Sequence, residues 1–259
     1  MPKIFLSPST QEYNEYYDGS GSEEYYMNLI ADYMEPYLTA SGIQYTRNDP
    51  SGDVNQSVAK SNQGTYDLHL ALHSNAAGPA NAGRQQGTDV YYYATSAKGK
   101  SAAEIFASNL RDIYPYPDRV KTVANTTLAE LRRTKAPAIL IELAYHDNPE
   151  DAEWIKSNLR NIAYNLALST AEYLGVPFTE PEQLREGVVS TGGGSLNIRS
   201  TPSENAAVIG KVPNGAFVTI TGEDGNWYDK YKFLASHPII HLNERRCEPI
   251  GGKVQSGNI

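Results

Sequence analysis

Two apolar runs in this chain each end in a side chain able to do chemistry. His73 closes Tyr66-Asp67-Leu68-His69-Leu70-Ala71-Leu72-His73, and Glu142 closes Ala138-Ile139-Leu140-Ile141-Glu142. A histidine and a carboxylate make a zinc-type ligand pair, and a second carboxylate beside an open metal position is the general base that metal-assisted hydrolysis requires. An acid that follows four apolar residues on a strand buried on both faces is costly unless it is paired, near a metal or at work. Glu142 is therefore the catalytic candidate. Thr10 and Gln11 follow a first apolar run at residues 4–7, and Glu24 stands at the start of the helical pattern after a loop rich in Gly, Ser and Tyr. A structural reading stays open beside the catalytic one: a histidine at a strand end commonly serves as a hydrogen-bonding group, and Glu24 complements a helix N-terminus.

These residues need elements that bring them together. Residues 4–7, 43–47, 66–73, 88–93 and 138–142 read as strands, and Met27, Ile30, Met34, Tyr37 and Leu38 recur at helical spacing until Gly42. Further helices are expected at residues 54–62, 101–113 and 149–174. The alternation implies an α/β fold, a mainly parallel (mixed) sheet with helices on both faces. In such sheets ligands bind beyond the carboxyl ends of the strands, where Gln11, His73 and Glu142 fall. Ser20 and Glu23 fit a Ser-x-x-Glu capping box, which leaves Glu24 to point into the site. His69 lies four residues before His73, about 13 Å away on a strand, and is read as structural. His146 follows Glu142 by four residues across a turn and lies within reach of the same mouth.

Composition limits the partners. Lysine and arginine number 22 against 30 aspartates and glutamates, a net charge of −8 that argues against nucleic-acid backbones and anionic membranes. Cys247 is the sole cysteine, so an internal disulfide and a thiolate-built zinc site are excluded. The 19 tyrosines, against five phenylalanines, suit a surface that binds polar, ring-shaped ligands. The start carries an apolar run too short for a signal-peptide core, so synthesis in the cytoplasm is expected. After a proline-punctuated stretch at Thr179-Glu180-Pro181-Glu182-Gln183, short β-branched runs and turn pairs such as Pro213-Asn214-Gly215 and Glu223-Asp224-Gly225-Asn226 indicate a small all-β unit.

Three segments together resemble the zinc-dependent N-acetylmuramoyl-L-alanine amidases of cell-wall and phage lysis. They are Glu24-Tyr25-Tyr26-Met27-Asn28-Leu29, Leu72-His73-Ser74-Asn75-Ala76 and Ile139-Leu140-Ile141-Glu142-Leu143-Ala144-Tyr145-His146-Asp147-Asn148. The resemblance implies that Glu24 and His73 bind zinc and that Glu142 activates water to cleave the amide between N-acetylmuramic acid and L-alanine. One departure stands out. The family's first loop reads Asp-Pro-Gly-His-Gly-Gly, whereas here Ser7-Pro8-Ser9-Thr10-Gln11 lacks the histidine ligand; Gln11 as an amide-oxygen ligand and His146 as a substitute are the two replacements. That departure keeps an alternative open, a non-catalytic peptidoglycan-binding protein with a degenerate amidase domain.

Gly194-Ser195-Leu196-Asn197-Ile198-Arg199-Ser200-Thr201-Pro202-Ser203 and Gly225-Asn226-Trp227-Tyr228 resemble a bacterial SH3-like domain, which implies cell-wall binding. The expected domains are a catalytic one at 1–178, a linker at 179–186, an SH3-like barrel at 187–241 that lacks its closing strand, and a poorly ordered tail at 242–259. The expected protein is a monomeric lysin with peptidoglycan as partner, reaching the wall after lysis or by non-classical release.

Overall fold

Strands β1 (Lys3–Pro8), β2 (Gln44–Arg47), β3 (Leu68–Asn75), β4 (Thr88–Tyr93), β5 (Val120–Asn125) and β6 (Ala138–Tyr145) form one sheet in the order β2-β1-β3-β6-β4-β5. Every adjacent pair is parallel except β4 and β6, so the sheet is mixed, with β3 and β6 at its centre. The computed structural model describes residues 1–181, 185–199, 203–224, 227–231, 240–243 and 247–249, and the chain divides into two compact units, Met1–Glu180 and Pro181–Ile259. Among the described residues no helix is long and apolar enough to cross a membrane.

Strand alternation assigns the two faces different work. Leu68, Leu70 and Leu72 of β3 and Ile139 and Ile141 of β6 enter the large core, with Met27, Ile30 and Met34 of helix α1 (Glu23–Ala40), Phe106 of helix α3 (Ala97–Arg111) and Leu166 of helix α6 (Leu159–Leu174). The intervening residues face the other way. There Ala71, Ala138 and Leu140 pack with Leu131 of helix α4 (Ala129–Arg132), which lies against helix α2 (Val54–Gln63). His69, His73 and Glu142 belong to this second face.

The pairing of β3 with β6 slips once: His73 is partnered by Glu142 but Asn75 by Tyr145. The extra residue on β6 is a bulge, so the consecutive residues Leu143 and Ala144 both enter the large core and Tyr145 returns to the side of Glu142.

The helix expected over residues 149–174 is two, helix α5 (Pro149–Ser157) and α6, separated at Asn158. The Asn158 side-chain amide donates to the Trp154 carbonyl at 2.8 Å, a local bond that competes with helix continuation. β5 and α4 were not legible as elements: β5 is an edge strand with a single buried side chain, and α4 has four residues, too few to show a period.

The second unit contains β7 (Arg185–Val189), β8 (Ser195–Arg199), β9 (Val208–Pro213), β10 (Phe217–Asp224), β11 (Trp227–Tyr231), β12 (Ile240–Asn243) and β13 (Cys247–Pro249), ordered β13-β7-β10-β11-β12-β8-β9. Val189, Leu196, Ile198, Val212 and Val218 form its small core. The turn read from Pro213-Asn214-Gly215 links β9 to β10, and Gly215 takes φ 82°, a conformation natural to glycine. Two boundaries differ from expectation. β7 begins within the stretch read as linker, and β13, from the stretch read as a poorly ordered tail, pairs with β7. Linker residues 182–184, the motif residues 200–202, the turn residues 225–226 and tail residues 244–246 and 250–259 lie outside the described residues.

A buried polar cluster ties β2 to α1. Arg47 bonds Asp32, Glu35 (2.7 Å) and the Asn28 side chain (2.7 Å). The opposing charges of Asp32 and Glu35 outweigh burial and hold the guanidinium above its ordinary pKa. Removing one partner of a buried ionic group leaves the others uncompensated. Arg47→Ala is therefore expected to lower unfolding free energy by about 3–5 kcal/mol, measured by urea denaturation.

Candidate active site

The first helix begins at Glu23, because Ser22 is its N-cap: its backbone is extended (φ −103°, ψ 169°) and its hydroxyl accepts from the Tyr25 amide at 3.1 Å. Ser20, expected to cap, instead accepts the Tyr26 hydroxyl at 2.9 Å. The placement decides which glutamate enters the site. Residues 23, 27, 30 and 34 share one buried face, and a one-residue step turns the helix by about 100°. Glu23, 1% exposed, leads that face toward the sheet; Glu24 points to Asn28, whose amide donates to it at 3.0 Å. The expectation that Glu24 faces His73 is thus corrected: the side chain beside the imidazole is Glu23.

His73 is held at both ring nitrogens. Nδ1 lies 2.7 Å from Glu23 Oε1, and Nε2 lies 3.2 Å from Glu130 Oε2. Gln11 completes the cluster, with its side-chain nitrogen 3.3 Å from both Glu23 Oε1 and His73 Nδ1, while its oxygen accepts from Tyr13 and Asn14. Asn14 also donates to Glu23 at 2.7 Å. Tyr13, Asn14 and Gln11 thus belong to one loop that follows β1 and closes over the Glu23 carboxylate.

Glu130 was not singled out from the sequence. It sits on the four-residue helix α4, buried, and accepts from Ser7 at 2.6 Å while meeting His69 Nε2 at 3.1 Å. His69 is fully buried, its other nitrogen 2.9 Å from the Ser61 hydroxyl and its ring stacked on Phe5, which agrees with a structural role. The signal that would have found Glu130 is the pair His69 and His73: two imidazoles on one buried strand face need an acceptor, and an acid from a facing element can serve both.

His146 goes elsewhere. Its Nδ1 lies 2.9 Å from the Ser74 carbonyl oxygen and 3.0 Å from its hydroxyl, and its ring stacks on Tyr16 in the large core. Adjacent residues on a strand point to opposite faces, so a partner of Ser74 is turned away from His73. His146 is not a substitute for the missing ligand.

Glu142 is the register partner of His73 on the neighbouring strand, and its Oε2 is buried with no hydrogen-bond partner among the described residues. Burial pushes its carboxyl up to about 7; the positive charge of His73 opposes this, and the charges of Glu23, Asp89 and Glu130 reinforce it. For His73 burial works downward, but the bonds to Glu130 and Glu23 win and hold the ring well above its ordinary pKa. Burial would raise Glu130 and Glu23, yet both are held low, Glu130 by His69 and His73, Glu23 by His73 and Asn14. The correction from Glu24 to Glu23 has a direct test. In chelator-treated protein, Glu23→Gln is expected to lower the His73 imidazole pKa followed by NMR, and Glu24→Gln to leave it in place; the reverse pattern would restore Glu24 to the site.

Comparison with known proteins bears on the family and the fold. Residues 10–171 match the N-acetylmuramoyl-L-alanine amidase family, and residues 194–232 match the bacterial SH3 domain family. The chain is 30% identical over 160 residues to N-acetylmuramoyl-L-alanine amidase LytC of Bacillus subtilis (strain 168), a match over 59% of this chain and 31% of that protein. It is 26% identical over 164 residues to N-acetylmuramoyl-L-alanine amidase CwlM of Bacillus licheniformis, covering 61% of this chain and 62% of that one. The chain thus spans less than two thirds of the length of these curated relatives. Among solved structures, the catalytic domain of CwlV from Bacillus (Paenibacillus) polymyxa var. colistinus superposes with a TM-score of 0.59 at 15% identity, over 68% of this chain and 100% of that chain. Ami1 from Mycobacterium smegmatis does so with a TM-score of 0.59 at 17% identity, over 67% of this chain and 97% of that chain. At these identities the two superpositions speak for the fold alone. The family match takes in well over half of the chain, and on it this protein belongs to the N-acetylmuramoyl-L-alanine amidase family.

Proposed function

We propose that the chain is a peptidoglycan hydrolase that cleaves the amide between N-acetylmuramic acid and L-alanine, with Glu142 as general base. The observation that carries this reading is the buried, unpartnered Glu142 oxygen, in register beside the Glu23–His73–Gln11 cluster. The names of the relatives and the family match support the choice of substrate.

The residues fit zinc as cofactor. Glu23 and His73 are two strong ligands now joined by a 2.7 Å hydrogen bond, so to take an ion of tetrahedral preference their donor atoms would part by roughly half an ångström and the shared proton would leave; the Gln11 carboxamide stands beside both with its nitrogen toward them. Among the described residues no three His, Cys, Asp or Glu side chains form a ready metal group; for Gln11 to serve as third donor its carboxamide would have to turn its oxygen inward, away from Tyr13 and Asn14. Glu130 holds Nε2 of His73, so Nδ1, on losing the proton it shares with Glu23, is the nitrogen that would ligate, the carboxylate–histidine arrangement that orients metal-binding rings. When bound, the ion supplies Lewis acidity to the substrate carbonyl and to water.

The protein groups divide the remaining work. Glu142, with a carboxyl pKa near neutrality, takes the proton of the attacking water and returns it to the departing L-alanine amine. The lactyl carbonyl carbon of muramic acid keeps the water oxygen as its bond to nitrogen breaks and ends as a carboxylate. The apolar partners Leu140 and Ala71 behind the site limit water to the open side. The second unit, by its likeness to bacterial SH3 domains, holds the chain on the same insoluble polymer and raises its local concentration there.

Release of free amino termini from purified cell walls tests the reading. Glu142→Gln is expected to lower that release by roughly 10²–10⁴-fold while leaving wall pelleting intact. A chelator should stop release and zinc restore it; absence of release by the wild-type chain under zinc would leave wall binding alone. Gln11→His is expected to tighten zinc binding, measured by competition with a chromophoric chelator.

A further inference from the structure

The reversal of β4 against β6 brings a second group of residues to the same sheet edge. β4 and β5 run opposite to β6, so their amino-terminal ends, preceded by Arg84, Gln86 and Arg119, meet the carboxyl end of β6 at Tyr145. A cleft of about 350 Å³ opens there, lined by Arg84, Gln86, Asp89, Arg119, Lys121 and Tyr145 among others. Three cations on one cleft are notable in a chain whose net charge is −8.

The cleft and Glu142 are linked by a row of strand register. His73 is partnered in register by Glu142, Glu142 by Asp89, and Asp89 by Lys121, a single row of chemically active residues across four strands. At a strand spacing of about 4.8 Å, Lys121 lies about 10 Å from Glu142 at the backbone, the reach of about three extended peptide residues.

The acids around the cleft already have partners. Asp89 accepts from Tyr91 and feels the charge of Lys121. Glu150 accepts from Gln86 and Tyr116, and Asp151 from Gly87, Tyr145 and Tyr114. Arg119 is fixed in place, bonded to the Gln86 oxygen and lying over the Tyr116 ring at 4.7 Å. Arg84 and Lys121 form no side-chain hydrogen bond or ion pair among the described residues, and both are exposed. The lining is thus two cations in excess of its single acid, with two of the three cationic groups available to a ligand.

We propose that this cleft is a subsite for a carboxylate carried on the peptide leaving group, two or three residues beyond the amide that Glu142 faces. Arg119 and Gln86 form the fixed wall; Arg84 and Lys121 close on the carboxylate from the solvent side. This rests on the amidase reading for the position of the scissile bond. The same chemistry is offered by a free carboxylate on the second or on the third residue of the peptide.

Synthetic muramyl peptides that carry carboxylate or carboxamide at each of these two residues separate the sources. The wild-type protein, loaded with zinc, is expected to lose about tenfold in kcat/KM, mainly through KM, when the recognised carboxylate becomes an amide, the ratio that one charge-assisted hydrogen bond is worth. The double variant R84Q/K121Q is expected to treat both substrates alike. Equal rates on all substrates by the wild type, or discrimination retained by the double variant, would overturn the proposal.

A second measurement keeps it distinct from the amidase reading. The free peptide acid, without muramic acid, should shift the NMR side-chain signals of Arg84 and Lys121, and its fully amidated form should not. Such shifts without any cleavage of muramyl peptides would sink the amidase reading and spare the subsite. Cleavage without charge preference and without shifts would sink the subsite and spare the amidase reading.

Discussion

The imidazole of His73 is clamped between two buried carboxylates, and the rest of the site is arranged around that clamp. Glu23 arrives from the first helix, Glu130 from a four-residue helix on the far side, and both meet the ring within hydrogen-bond distance. Three anions in one pocket would repel one another if His73 were absent, and an isolated carboxylate buried there would be expensive. The ring resolves this by donating to Glu23 and Glu130 and leaving Glu142 as the acid with an unsatisfied oxygen. The difference in roles among chemically equal carboxylates comes from which of them the imidazole touches.

That division depends on the sheet. A strand face that alternates Leu68, Leu70 and Leu72 with His69, Ala71 and His73 buries one set and exposes the other to α2 and α4. His69 and Ser7 then anchor Glu130 from below, so the carboxylate that orients His73 is itself held at three points. The same alternation turns His146 toward Tyr16 and the large core. Position in the chain brings His146 near Glu142, but strand geometry faces it the other way.

The sequence made the α/β order, the mixed sheet and the positions of His73 and Glu142 legible, because long apolar runs ending in a single polar residue are a strong signal. It misplaced the acidic partner by one residue. Ser20 and Ser22 are both acceptable caps, and the choice between them, settled by which face of the helix can bury Met27, Ile30 and Met34, decides whether residue 23 or 24 enters the site. Glu130 was illegible for a different reason: its element is too short to carry a period, and its importance appears only when two histidines from another strand are seen to converge on it. β5 escaped notice because an edge strand with solvated side chains lacks apolar alternation, and with it went the row that ends in Lys121.

The bulge after Glu142 sets a rule for how this segment tolerates change. Because one surplus residue on β6 lets Leu143 and Ala144 both dip inward before Tyr145 swings back, the last strand residues are counted rather than merely typed. Conservative exchanges at 143 or 144 preserve that count and leave the mouth of the site as it is. Losing either position would remove the surplus residue and the bend that goes with it: plain alternation would keep Tyr145 on the side of Glu142, with one apolar residue instead of two dipping inward between them.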